Sequence, residues 1–497
     1  MGDSMAKKVV RYKLVRHKWP DEIEAERKAR LKKASIVALG VLIFFSGMLT
    51  TKYLGKNELM KDETFSKLSQ IYAVMKDQFY FSKDKENFND ALINGAISGM
   101  VSAGEDKHTM YLDAKQSSDF TSSMEGSFVG IGIQYYAQDE DTFLVSKVLN
   151  NSPAEDAGLL KGDQIYRIND TICEDMTVDK VKELMIGESG TKVEVEIVRD
   201  QKHMVMDIKR RKVNDSVYSE VDGSTGILEI SSFSETGGPD TGVQLADIKD
   251  AGCKNLILDL RDNGGGYLVA AQQIASYLLG EDQLIFKEVY KDGEVEEVRT
   301  LKDNEHYTFD KIIILVNGNT ASAAEVLTAA LKEDLDNITI VGETTYGKGT
   351  VQIPLSFSDG SMLKYTTAEW VTPSGKKING VGITPDVEVS LDSVYTTGAP
   401  QLKEDESYKV DTVSEAAKVV QTYLNFLGYA TDRSDEYFSY AGERALRQYQ
   451  EDKGLEVNGV IDRKVINALL SSVNSEWNTN ENEYDVQMKK AKELIEK

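Results

Sequence analysis

Four short apolar runs, ILEISSF (227–233), NLILDL (255–260), KIIILV (311–316) and NITIVGE (337–343), are rich in β-branched residues and separated by helical stretches such as LVAAQQIASYLL (268–279). Runs of this length are too short to span a membrane and lack the polar alternation of a half-exposed strand. They read as strands buried on both faces, which a parallel sheet covered by crossover helices supplies. The spacing therefore predicts an α/β layered core over residues 213–398.

The flanking segments have other periodicities. Leu68, Ile71, Tyr72, Met75 and Phe79, then Ala91, Leu92, Ile97 and Met100, recur at helical spacing and predict a helical lead-in over 56–113. GSFVGIGIQYY (126–136), TFLVSKVL (142–149), GDQIYRIND (162–170), VDKVKELMIG (178–187) and TKVEVEIVR (191–199) predict strand, strand, strand, helix and strand, a small β-module over 114–212. After a linker at 399–410, residues 411–473 read as a small all-α domain with Leu424, Leu427, Tyr429, Ala445, Leu446, Tyr449, Leu455, Val460 and Leu469 as its core. A polar stretch, 474–497, ends in a helix, DVQMKKAKELIEK. At roughly 100–200 residues per domain, 497 residues suit this division. The fold class expected is multidomain α+β.

Ala34 to Thr51 carries no charge and follows 33 residues holding eleven basic and five acidic side chains. The pattern predicts a transmembrane signal anchor over 34–54 with the basic segment 1–33 in the cytoplasm and the rest outside. A cleaved signal peptide is the competing reading, disfavoured by the long basic lead and the absence of an A-x-A site. The chain's net charge of −24 would repel phosphate backbones, so no nucleic-acid partner is expected. Cys173 and Cys253 match no zinc or redox spacing, and four scattered histidines form no metal motif. The two cysteines read as small buried side chains, with one disulfide as the alternative. No metal or organic cofactor is expected.

Chemistry concentrates at three turns. Ser322 follows the strand KIIILV at the start of a helix, where free N–H groups and the helix dipole favour negative charge nearby. Taken alone it could be an ordinary helix-start serine. Lys348 lies between Gly347 and Gly349 in GETTYGKGT (342–350), where a partly desolvated amine could act as a general base. Gln352, four residues on, could orient that amine. The same segment nearly matches a phosphate-binding loop, but Gly349 stands where a hydroxyl is needed and a strand-like run follows instead of a helix. The third turn, Arg261-Asp262-Asn263-Gly264-Gly265-Gly266, exposes backbone N–H groups of the kind that hold an oxyanion.

In order, LRDNGGGYL, VNGNTASAAEV, VGETTYGKGTVQ and TPSGKKINGVGITPDVEV resemble the carboxyl-terminal processing (tail-specific) serine proteases. The resemblance covers residues 60–398, including INGAISGMVSAGEDKHTMYLD (93–113), and implies a PDZ domain ahead of a crotonase/ClpP-like layered core. It implies Ser322 as nucleophile, Lys348 as general base and Gln352 as the lysine-orienting residue. It also implies backbone N–H groups of Ala323 and of Gly265, with Gly264 as the alternative, as oxyanion donors. Around the serine the family often reads S-A-S-A-S-E; this chain has T-A-S-A-A-E, keeping small side chains. In the PDZ part, Val129, Gly130, Ile131, Gly132 and Ile133 are expected to form the carboxylate loop and groove, with peptide engagement gating the Ser–Lys site. Residues 419–470 resemble the peptidoglycan-binding domain of cell-wall enzymes. The expectation is a membrane-anchored, extracytoplasmic serine endopeptidase acting near protein C-termini, with protein tails, the membrane and peptidoglycan as partners and a homodimer as its assembly. The competing readings are a catalytically silent PDZ and cell-wall-binding scaffold, against which the intact Ser322, Lys348 and Gln352 weigh, and a non-proteolytic enzyme of a related layered fold, against which the PDZ part weighs.

Overall fold

The protein is described by a computed structural model covering residues 63–138, 142–174, 176–400, 402–403 and 405–497. The basic segment 1–33 and the expected anchor 34–54 lie outside these residues. Among the described residues no helix is long and apolar enough to cross a membrane. The chain divides into two compact units between Gly99 and Met100.

The first unit holds helix α1 (Glu63–Asp77), a 3-10 turn (Tyr80–Asp84) and most of α2 (Phe88–Ser102). Both helices form where the spacing predicts them. Among the described residues Phe65, Leu68, Ile71, Val74 and Ile93 are exposed, while Tyr72, Met75, Phe79, Leu92 and Ile97 are half-buried.

The second unit opens with β1 (Met110–Leu112) and α3 (Ala114–Glu125), the latter started by a capping box of Asp113 and Gln116. The β-module follows as β2 (Ser127–Gly130), β3 (Ile133–Ala137), β4 (Phe143–Val148), α4 (Pro153–Ala157), β5 (Gln164–Ile168), β6 (Thr171–Ile172), α5 (Val178–Met185), β7 (Lys192–Arg199), β8 (Lys202–Lys209) and β9 (Arg211–Asn214). Its sheet runs β3-β4-β5-β7-β8, and alternate residues Phe143, Val145, Ile165, Val193, Val195 and Ile197 fill the core. The single strand expected over 126–136 is broken at Ile131 and Gly132, because β2 leaves the sheet to pair with β9.

The core comprises β10 (Val217–Asp222), β11 (Thr225–Ile230), α6 (Gly237–Asp250), β12 (Asn255–Asp259), α7 (Leu268–Leu279), β13 (Leu284–Tyr290), β14 (Val295–Arg299), β15 (Lys311–Val316), α8 (Ala323–Asp334), β16 (Ile338–Gly342), β17 (Thr350–Ser356), β18 (Met362–Val371) and β19 (Val387–Glu388). The main sheet, β10-β11-β12-β15-β16-β19, is parallel from β11 onward, and all four runs named above are its inner strands. Helices α6, α7 and α8 cover one face. A second, antiparallel sheet runs β1-β18-β13-β14 with β17 on β18. Strand β1, expected within the lead-in, therefore belongs to the core.

The C-terminal helices are α9 (Ser393–Thr396), α10 (Glu415–Phe426), α11 (Tyr440–Asp452), α12 (Arg463–Thr479), α13 (Glu481–Tyr484) and α14 (Val486–Glu496). Their small core contains the expected Leu424, Ala445, Leu446, Tyr449, Leu455 and Leu469. Val460 is only half-buried; Ile461, whose backbone bonds to Tyr408 in both directions, is buried instead. Helix α14 is not a free tail. Met488, Ala491, Leu494 and Ile495 pack on Ile227, Ile257, Ile313, Leu315 and Val341, the face of the main sheet opposite α6 to α8. Cys173 and Cys253 are both buried and free.

Candidate active site

Parallel strands place their C-terminal ends, and the turns that follow, along one edge of the sheet. The turn after β12 carries Gly264 and Gly265, the turn after β15 carries Ser322, and the loop after β16 carries Lys348. Backbone bonds join them: Ala321 N–H donates to Asn263 O at 2.9 Å and Tyr346 N–H to Thr320 O at 2.9 Å. The Thr320 hydroxyl, fully buried, donates to Leu260 O at 2.8 Å.

Ser322 is the N-cap of α8 and adopts φ +57°, ψ −118°, a conformation costly for any residue but glycine. Such a strand-to-helix elbow lifts the serine off the sheet end. Among the described residues the Ala323 N–H, the first of the helix, makes no hydrogen bond. Gly265, at φ +101°, lies against this elbow: a Cβ there would meet Ser322 Cβ at 2.8 Å and Ala323 N at 3.1 Å. Glycine keeps open the space beside the serine. The Gly265 N–H is engaged within its own turn, donating to Asn263 Oδ1 at 2.8 Å, whereas the Gly264 N–H makes no hydrogen bond among the described residues. Of the two glycines named from sequence, Gly264 holds the free donor and Gly265 the free space.

One buried acid ties serine to lysine. Glu325, on the first turn of α8, is fully buried. Its Oε2 accepts from Ser322 N–H at 2.9 Å and from Lys348 N–H at 2.8 Å; its Oε1 accepts from the Thr345 hydroxyl at 2.5 Å and Gly347 N–H at 2.7 Å. Four donors satisfy a carboxylate that burial would otherwise make very costly. Sequence reasoning gave Glu325 no role, although it is part of the TASAAE motif. Its signal was an acid at the third helical position after the N-cap serine, the place of a capping-box residue.

The glycines flanking Lys348 let its loop press against residues 378–382: a Cβ on Gly349 would meet Asn379 N at 2.5 Å, and one on Gly347 Gly382 N at 2.8 Å. The Trp370 indole N–H holds Lys348 O at 2.9 Å. The Lys348 amine is half-buried and makes no hydrogen bond or ion pair among the described residues. Burial, then the nearby Lys364, lowers its pKa below the usual lysine range, while Glu325 and Asp106 pull the other way. Gln352, directly opposite Thr366 on the β17–β18 pair, donates from Nε2 to Thr350 Oγ1 at 2.7 Å and Thr366 Oγ1 at 3.3 Å, not to Lys348.

In the β-module, Ile131 is buried in the core at 2% exposure, so its side chain does not wall a groove. The break that starts β3 turns it inward. Val129 lies on β2, and its carbonyl accepts from Gly187 N–H at 3.3 Å. Gly130 ends β2, and Gly132 O accepts from Leu149 N–H at 3.0 Å. The N–H groups of Ile131 and Gly132 make no hydrogen bond among the described residues, and Ile133 starts β3 with its side chain packed on the core. From β3 itself, the Tyr135 hydroxyl donates to Val178 O of α5 at 2.7 Å.

Comparison with known proteins adds to this geometry. Residues 224–389 match Peptidase family S41, 144–199 a PDZ domain, 413–469 a peptidoglycan binding domain and 47–116 the Activating protease CtpB N-terminal domain. The chain is similar to the carboxy-terminal processing protease CtpA of Bacillus subtilis, 32% identical over 93% of this chain and 97% of that one. A CtpA-like serine protease of Staphylococcus haemolyticus is 30% identical over 86% of each chain. A solved photosystem II D1 C-terminal processing protease aligns at 25% identity and a TM-score of 0.38 over 70% of this chain and 92% of that one. With the relatives spanned nearly end to end and the S41 match lying over all three turns, the chain belongs to the carboxy-terminal processing serine peptidases of family S41.

Proposed function

We propose that this peptidase cleaves protein substrates near their C-termini by a Ser322–Lys348 dyad. The observation that carries the reading is the shared Glu325 oxygen, which seats the backbones of Ser322 and Lys348 on one atom. The neutral Lys348 amine takes the proton of Ser322 Oγ as that oxygen attacks the scissile carbonyl. The oxyanion is received by the Ala323 N–H and a glycine-turn N–H, for which the free Gly264 donor is the better candidate. Lys348 then returns the proton to the leaving amine. Water, deprotonated by the same amine, releases the acyl group from Ser322. Gln352 positions Lys348.

The wider reading places an anchor at 34–54 ahead of an extracytoplasmic enzyme. The PDZ domain (114–212) captures substrate tails and gates the core (213–398). The helical domain at 411–473 engages peptidoglycan, and the exposed apolar side chains of the lead-in, Phe65, Leu68, Ile71 and Val74, pair two copies. The free Ile131 and Gly132 N–H groups suit a peptide carboxylate, which supports the capture step.

The test is cleavage of an unstructured protein with an apolar C-terminal tail by the full chain in mild detergent. Ser322→Ala and Lys348→Ala should each abolish turnover with the fold intact. Turnover surviving Ser322→Ala sinks the mechanism. Inactive wild type, even with a tail peptide added, favours a tethering scaffold.

A further inference from the structure

The segment between α2 and β1 reaches Gln352 through a chain of side-chain hydrogen bonds, and its Asp106 lies close enough to Lys348 to act on that amine electrostatically. The Asp106 carboxylate accepts from His108 N–H at 3.0 Å on Oδ1 and from the hydroxyls of Thr109 and Thr366, both at 2.6 Å, on Oδ2. Thr109 Oγ1 in turn accepts from Thr366 N–H at 3.1 Å. Three donors converge on an acid in the loop before β1, and one of them lies on β18 directly opposite Gln352.

This chain has a direction. An ionised carboxylate only accepts, and a threonine hydroxyl has a single hydrogen. With that hydrogen committed to Asp106, the Thr366 oxygen can only accept from Gln352. The amide must therefore turn its NH2 toward Thr366 and Thr350, as observed. Its oxygen makes no hydrogen bond among the described residues and is the atom left to receive an N–H from Lys348.

We propose that Asp106 is a positioning residue of the Ser–Lys site: through the Thr366 hydroxyl it fixes the Gln352 amide so that oxygen, not NH2, is presented to Lys348. The proposal rests on the Gln352 role above. Without the acceptor-only anchor, the Thr366 hydroxyl could donate to Gln352 Oε1 and leave NH2 facing an amine that must carry a proton in mid-reaction. The charges around Lys348 agree. Asp106 and Glu325 favour its protonated form; Lys364 opposes it, and His108 shares the cluster, its own pKa lowered by burial and by Lys348.

The experiment compares Thr366→Val, Thr366→Ser and Asp106→Asn in the full chain, with Ser322→Ala, Lys348→Ala and Gln352→Ala alongside. Thr366→Val, which keeps shape and loses only the hydroxyl, should lower kcat on the order of tenfold with KM within about twofold, as expected for a group that acts only in the transition state. Thr366→Ser should restore it. Asp106→Asn should lower kcat similarly and move the acid limb of kcat/KM to lower pH, because the negative charge that favours the lysine's protonated form is gone. A purely structural role would move thermal stability but neither separate Ser from Val at 366 nor shift the pH limb. Thr366→Val within twofold of wild type, while Ser322→Ala, Lys348→Ala and Gln352→Ala are impaired, overturns the proposal alone. Activity in Ser322→Ala or Lys348→Ala overturns the dyad beneath it, and an unimpaired Gln352→Ala overturns the glutamine's role.

Discussion

Glu325, fully buried, receives four hydrogen bonds, and each of its oxygens faces two donors. Replacing it with glutamine would set an NH2 against two of them. The expected result is a loss of roughly 3 kcal/mol in stability, the scale for leaving buried polar groups unpaired, with a fall in kcat on the order of a hundredfold. Thermal unfolding and steady-state kinetics would check both, and an unchanged Glu325→Gln enzyme would refute the coupling. Lys348 makes a prediction of opposite kind. Its amine is held below the usual lysine range, chiefly by burial, so kcat/KM should rise as pH climbs through that lowered value and the base loses its proton. Lys348→Arg, charged at every accessible pH, should be inactive across the whole profile. Ser322, Lys348 and the glycine turn were legible because each sits at a strand end in a motif of small residues. Glu325 and Asp106 were not, since an acid on a helix start or in a loop ordinarily faces water, and only their long-range partners show that these two do not.

Among the elements, the inner strands of the main sheet were readable because burial on both faces leaves an unbroken apolar run. Strand β8 was not, its outward residues being mostly exposed, and nothing local announces that Met110 will pair with Lys364. The last helix had a readable stripe, Met488, Ala491, Leu494 and Ile495, but not a readable destination. Its docking is pinned at its start, where Arg261 bonds Asp259 and reaches Asp485 at 2.8 and 2.9 Å. Arg261 begins the turn that carries Gly264. Asp485→Asn should leave that buried guanidinium half-neutralised, costing roughly 2–4 kcal/mol and lowering kcat through the turn. A melting temperature and kcat equal to wild type would show the clasp to be idle.

At the scale of the molecule, the PDZ domain meets its neighbours through polar contacts. Lys147 pairs with Glu229 of the core at 2.5 Å, Asn150 and Ser219 exchange two hydrogen bonds, and Lys161 reaches Glu481 at 2.7 Å. The exposed Lys161–Glu481 pair contributes about 0–1 kcal/mol and weakens with salt, whereas Lys147–Glu229 is half-buried and less screened. If the domain gates the site, Lys147→Ala combined with Asn150→Ala should raise basal cleavage of a substrate lacking a tail several-fold and blunt further stimulation by a tail peptide. Equal basal rates in the variant and wild type would argue against gating through this seam.

The seat of α14 bears on how the enzyme is born. One face of the main sheet, Ile227, Ile257, Ile313, Leu315 and Val341, is covered by residues made more than a hundred positions after the strands themselves. A ribosome delivers the chain from its N-terminus, so the strands and all three turns of the candidate site emerge while that face is still bare. A half-made enzyme therefore lacks one side of its hydrophobic core and the Asp485 clasp on the glycine turn. The main sheet is thus closed on both faces only once the last helix has been made.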